Sequence, residues 1–118
     1  MPKVIVTAKP EIYNESGVFV LWMKGNVREL VARYLGVPGT QAELSISDIG
    51  VRFEIVGPND ISDYDFEVEI NANDYPERRL IASNGVKAIT DSIYQALGRE
   101  FRFFVWLQMS YGVFEDTA

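Results

Sequence analysis

The order in which the hydrophobic period changes along this chain constrains its fold more than any other feature. Lys3–Ala8 is a short run rich in β-branched residues, read as a strand. Pro10 stops it, because proline brings no N–H to a ladder. Ser16–Leu35 reads as a helix. Leu30, Val31, Tyr34 and Leu35 have helical spacing, Asn14 or Ser16 can cap the start, and Gly36-Val37-Pro38-Gly39 marks the end. Its first half carries no period, since Val18–Met23 is almost wholly apolar, and Gly25-Asn26 weakens a helix locally. Ala42–Val56 reads as extended chain with an irregularity near Asp48-Ile49-Gly50. Within it Val51, Phe53 and Ile55 alternate with Arg52 and Glu54. Gly57-Pro58-Asn59-Asp60 is a turn signal, and beyond it Phe66, Val68 and Ile70 alternate again. These two extended segments read as a hairpin.

The second helix starts at Asp74 as N-cap, with Glu77 closing a capping box and Pro76 in the first turn. Ile81, Ala88, Ile89, Ile93 and Ala96-Leu97 trace its apolar stripe, and Gly98 supplies a stop. Phe101–Met109 is the last strand. Phe103, Val105 and Leu107 share one face of it; Phe104, Trp106 and Gln108 share the other. The order is therefore β-α-β-β-α-β. It predicts an α+β fold with two helices on one face of a four-stranded sheet, in a single domain spanning 1–118. The second sheet face stays uncovered, and self-association is the simplest way to bury its aromatic residues.

Composition narrows the chemistry. The formal charge is −6 and the Lys and Arg residues form no long tract, which argues against a nucleic-acid partner. No apolar run approaches the roughly 20 residues of a membrane span. The N-terminus lacks the pattern of a secretory signal, so a cytoplasmic location is the expectation. The chain has no cysteine and no histidine. Thiolate zinc sites, thiol nucleophiles, imidazole shuttles and Ser-His-Asp triads are all excluded. No Asp/Glu spacing matches a calcium loop, and neither a metal nor a cofactor is expected. Catalysis must use carboxylates, Lys, Arg, Tyr or the terminal amine.

Pro2 directly follows Met1. Loss of Met1 leaves a proline secondary amine as the first group of the chain. A free α-amine has a pKa near ~8, and desolvation or nearby cations lower it towards the range of a working base. With Met1 in place the same nitrogen is an amide and is not basic. Arg78 and Arg79 lie in the first turn of the second helix, where positive charge opposes the helix dipole. Either can fork a carboxylate; the alternative is a solvated arginine pairing with Glu77 or Asp74. Arg52 is a weaker candidate, read as a surface or interface residue; Lys3 flanks Pro2, but adjacent strand residues face opposite ways; Tyr75 and Tyr111 are further possible hydrogen-bond donors.

The Met-Pro-Lys-Val-Ile-Val start, the element order, the stop at Gly36-Val37-Pro38, the Glu77-Arg78-Arg79 start and the aromatic last strand resemble the tautomerase superfamily. The likeness is to its macrophage migration inhibitory factor and carboxymethyl-hydroxymuconate isomerase branches. It implies a trimer with an active site at the subunit boundary, built on Pro2 as general base. It also implies small 2-oxo acids or enols as substrates, and Arg78 or Arg79 as the carboxylate anchor. Phe104 and Trp106 would wall the pocket, standing where the migration-inhibitory branch has polar Tyr and Asn. Core or trimer packing is the other reading of these two aromatics. A non-catalytic oligomeric module of the same architecture, or a component of a larger assembly, is the alternative to an isomerase.

Overall fold

The computed structural model describes residues 2–15, 17–97 and 101–111. Its strands are β1 (Lys3–Ala8), β2 (Gly50–Ile55), β3 (Phe66–Asn73) and β4 (Phe103–Ser110). Its helices are α1 (Pro10–Glu15), α2 (Gly17–Leu35) and α3 (Pro76–Ala96), with a 3-10 turn at Ile46–Asp48. The sheet order is β2-β1-β3-β4. β1 runs parallel to β2, β3 runs parallel to β4, and the two pairs meet antiparallel at β1 and β3. The α+β order expected from the sequence is the order observed.

The expected hairpin is not formed. β1 lies between β2 and β3, so these consecutive strands never touch as a ladder. Residues 56–65 instead cross the end of β1, tied by Val56 N–H to Ala8 O (3.0 Å) and Lys9 N–H to Asp65 O (3.1 Å). Alternation reports which face a strand buries, but not which strand lies beside it. Residues 42–49 also depart from extended chain. Thr40 folds this connection back: its hydroxyl donates to Val37 O (2.8 Å) and accepts from Ala42 N–H (3.1 Å).

Period-2 burial builds the core from the sheet side. Val4, Val6 and Ala8 of β1, and Phe66, Val68, Ile70 and Ala72 of β3, are buried beneath the helices. The helix side is a stripe at strict i+4 spacing: Phe19, Met23, Val27, Val31 and Leu35. This explains why Val18–Met23 is helical without showing a period. Val18 and Leu21 lie outside the stripe, at 65 % and 72 % exposure. α3 completes the layer with Ile89 and Ile93. Gly85 lets it approach α2, since a Cβ there would stand 2.4 Å from Tyr34 O. The expected stop at Gly98 lies outside the described residues.

Pro10 begins α1 and does more than stop β1, because the first helical turn needs no N–H from it. α1 brings Tyr13 over the β1–β2 pair, where its hydroxyl proton is shared between Val6 O (3.1 Å) and Glu54 O (2.6 Å). Burial raises the Tyr13 pKa, so the phenol stays protonated to hold both strands. At α3 the N-cap is Tyr75, not Asp74, and no side chain caps the helix. Asp74 pairs with Arg79 instead (2.8 Å). Glu77 makes no capping box; its Oε2 is buried without a hydrogen-bond partner among the described residues.

The face away from the helices is more polar than expected. Lys3, Arg52, Glu54, Glu67, Glu69 and Asn71 share it with Ile5, Phe104 and Trp106. No helix among the described residues is long and apolar enough to cross a membrane.

Candidate functional site

Pro2 is buried at the end of the sheet where β1 begins and β3 finishes. Its carbonyl accepts from Gly50 N–H (3.2 Å), which fixes the residue against the start of β2. Beside it opens a cavity of about 150 Å³ with three further walls. The α2–β2 connection supplies Gln41, Glu43, Leu44 and Asp48; the end of β3 supplies Asn73; the entry to α3 supplies Tyr75 and Arg78. The volume holds about five waters at roughly 30 Å³ each, which fits a small acid.

Arg78 is 1 % exposed. Its Nε donates to Leu35 O (2.9 Å), Nη1 to Asn73 O (2.7 Å) and Nη2 to Ala42 O (3.1 Å). One side chain thereby joins the C-terminus of α2, the following loop and the end of β3. A cation at the last carbonyl of a helix is favoured by the helix dipole. Burial lowers the guanidinium pKa from its usual value. A guanidinium has five N–H donors, so two remain after these bonds, one on each terminal nitrogen.

Tyr75 lays its ring 5.5 Å from the Arg78 guanidinium carbon. Its hydroxyl accepts from Asn73 Nδ2 (3.3 Å). Two carboxylates stand at the cavity's exposed wall. Asp48 accepts from the Ser45 backbone N–H (3.0 Å) and hydroxyl (2.8 Å), and these bonds hold its pKa below the usual value. Glu43 is exposed. Arg78 and these two carboxylates therefore border one cavity, with no salt bridge between them among the described residues.

The structure brings together Pro2, Arg78 and Tyr75. Arg79 points to Asp74, with its side chain 58 % exposed, and does not line this cavity. Phe104 and Trp106 lie further from it along β4. Phe104 packs edge-on to Tyr64 (4.7 Å between centroids), and Trp106 borders a groove between β4 and α3. Arg52 lies beside Glu54 on the exposed edge strand (3.8 Å), and Tyr111 is exposed. Glu43, Asp48 and Asn73 carried no signal in sequence, because their meeting depends on a loop with no period.

Neither a protein-family model nor a curated protein sequence matches the chain. Solved structures do. MIF2 of Leishmania major matches at TM-score 0.61 and 12 % identity, over 98 % of this chain and 94 % of that one. A 5-carboxymethyl-2-hydroxymuconate delta-isomerase matches at TM-score 0.61 and 11 % identity, over 100 % and 87 %. A macrophage migration inhibitory factor-like protein of Entamoeba histolytica matches at TM-score 0.56 and 14 % identity, over 94 % and 90 %. At these identities the likeness is one of fold, and the chain has the tautomerase fold that its sequence resembles.

Proposed function

We propose that the chain is a tautomerase-like isomerase that moves a proton in a small 2-oxo acid or its enol. Pro2, freed by loss of Met1, is the base. The observation that carries this reading is the convergence of Pro2 and a buried arginine on one small cavity. The two remaining Arg78 donors receive the substrate carboxylate, and Pro2 takes the proton from the adjacent carbon. Arg79 is held by Asp74 and has no part in this reading. Similarity to a delta-isomerase fold supports the reaction class. The base form is the unprotonated amine, so kcat/KM should rise with pH through the amine pKa and then level off.

The test is enol–keto interconversion of oxaloacetate and phenylpyruvate, followed by enol absorbance. Protein shown by intact mass to lack Met1 should exceed protein retaining Met1 by at least ~100-fold, the worth of a placed general base. Equal rates in the two forms, or in Met1-free protein and its Pro2→Ala variant, remove Pro2 from the mechanism.

The oligomer belongs to the same proposal. β2 and β4 are both unpaired edges among the described residues, and Ile55 and Trp106 on them are 61 % and 57 % exposed. A homotrimer covers such edges, with Phe104 and Trp106 as packing residues or as a neighbour's pocket wall. Light scattering should give a native mass three times the 13.4 kDa of the chain. A monomer would sink this part of the reading.

A second reading is a non-catalytic module of the same architecture. Its support is that Arg78 already has three carbonyl acceptors and that two carboxylates face the cavity. It predicts no rate difference between the Met1-free and Met1-bearing forms.

A further inference from the structure

We infer that Tyr75 is a catalytic residue whose hydroxyl holds the substrate's oxyanion, with Asn73 as the positioning residue that aims it. This deepens the proposed isomerase reading and rests on it. Three observations carry the inference.

Tyr75 lines the cavity with Pro2 and Arg78. Its oxygen accepts from Asn73 Nδ2 (3.3 Å), so that lone pair is engaged by a donor. Among the described residues no carbonyl or carboxylate accepts the Tyr75 proton. A phenol has one proton to donate. Here a donor fixes its oxygen from one side, and the proton is free for a ligand in the cavity. The ring is placed independently of the hydroxyl, by its position over the Arg78 guanidinium (5.5 Å) and by its place as N-cap of α3. Asn73 is placed by its backbone as well, since its carbonyl accepts from Arg78 Nη1 (2.7 Å).

The chemistry needs such a donor. When Pro2 removes a proton from the carbon beside the carbonyl, the C–H pair becomes the new C=C bond. The carbonyl π electrons move to oxygen. An N–H bond forms on Pro2, and negative charge appears on the oxygen. Tyr75 meets that charge with its O–H and keeps its own proton. The proton on Pro2 is then delivered to the oxygen, which completes the isomerisation with no co-reactant. Donors aimed at a developing oxyanion are among the larger contributions to such steps.

Tyr75→Phe keeps the ring over Arg78 and removes only the hydroxyl. Asn73→Asp replaces the donor by an acceptor that draws the phenol proton away from the cavity. Two readouts on Met1-free protein separate this inference from the base assignment. The first is binding of oxalate, a planar anion like the enolate of a 2-oxo acid. Both variants should bind it about tenfold more weakly or worse, the worth of one charge-assisted hydrogen bond. Unchanged affinity, or no oxalate binding by wild type, overturns the inference. The second is turnover of oxaloacetate. Tyr75→Phe should lower kcat about 10²–10³-fold with little change in KM. A KM effect with kcat intact makes Tyr75 a binding residue only. If wild type shows no turnover, the isomerase reading and the catalytic role of Tyr75 fail together, and the oxalate result then reports only whether its hydroxyl holds an anion.

Discussion

Arg78→Met should lower the stability of the fold by about 2–4 kcal/mol, read from the urea midpoint with the slope unchanged. Methionine restores most of the volume, so the loss isolates hydrogen bonding. Leu35 O, Ala42 O and Asn73 O each lose their guanidinium donor. An unsatisfied buried acceptor costs roughly 1–3 kcal/mol. Ala42 O keeps Val37 N–H (3.0 Å) and Asn73 O keeps Tyr75 N–H (3.2 Å), so among the described residues Leu35 O alone is left with no donor. Removing a buried cation also recovers part of its desolvation cost, so the sum is one full penalty plus two weaker losses. The neighbouring arginine is the control. Arg79 is exposed and bonded to an exposed Asp74, a pair worth about 0–1 kcal/mol. Arg79→Ala should barely move the midpoint. Two adjacent arginines, alike in sequence, are therefore expected to differ several-fold in effect. If Arg78→Met unfolds within about 1 kcal/mol of wild type, solvent already satisfies those carbonyls. Arg78 would then be free to act as a ligand alone.

The same contrast shows what the sequence could and could not convey. The two arginines break the dipole preference of a first helical turn equally, so local grammar raised both as anion binders. What distinguishes them is long-range: the α2 C-terminus and the end of β3 arrive beside one and not the other. Strand faces were legible because period-2 burial is local, as in Val4, Val6 and Ala8 or Phe66, Val68 and Ile70. Strand neighbours were not, because parallel pairing of β1 with β2 leaves no short-range mark. In α2 the apolar run hid its own stripe, since Val18 and Leu21 are as apolar as buried Phe19 and Met23. Pro2 stood out as a candidate base from the absence of cysteine and histidine. Its cavity was not, because the Gln41–Asp48 wall is a loop and a 3-10 turn with no repeating pattern.

Phe66→Ala is the second large effect, and it should fall on stability without touching the site. Phe66 is 1 % exposed and opens β3, paired with Ala8 of β1 and Phe103 of β4. Its ring stacks on Phe103 (4.7 Å, 8°), lies 4.9 Å from Phe19 and meets Phe101 edge-on at 5.9 Å. Removing it opens a cavity bounded by α2, β4 and the segment entering β4, three elements held by their own hydrogen bonds. They cannot all collapse inward, and a Phe→Ala change of this kind costs about 3–5 kcal/mol. Pro2 lies at the other end of the sheet, next to the Lys3–Asn71 pair. The separation from Phe66 to Asn71 along β3 is roughly 17 Å at about 3.4 Å per residue. Sites that far apart with no shared partner behave additively. Phe66→Ala should therefore lower the urea midpoint steeply while its folded fraction keeps wild-type oxalate affinity. Arg78→Met should lose both. If Phe66→Ala also loses oxalate binding, the two ends of the sheet are coupled, and the cavity depends on the whole core rather than on the arginine that closes it.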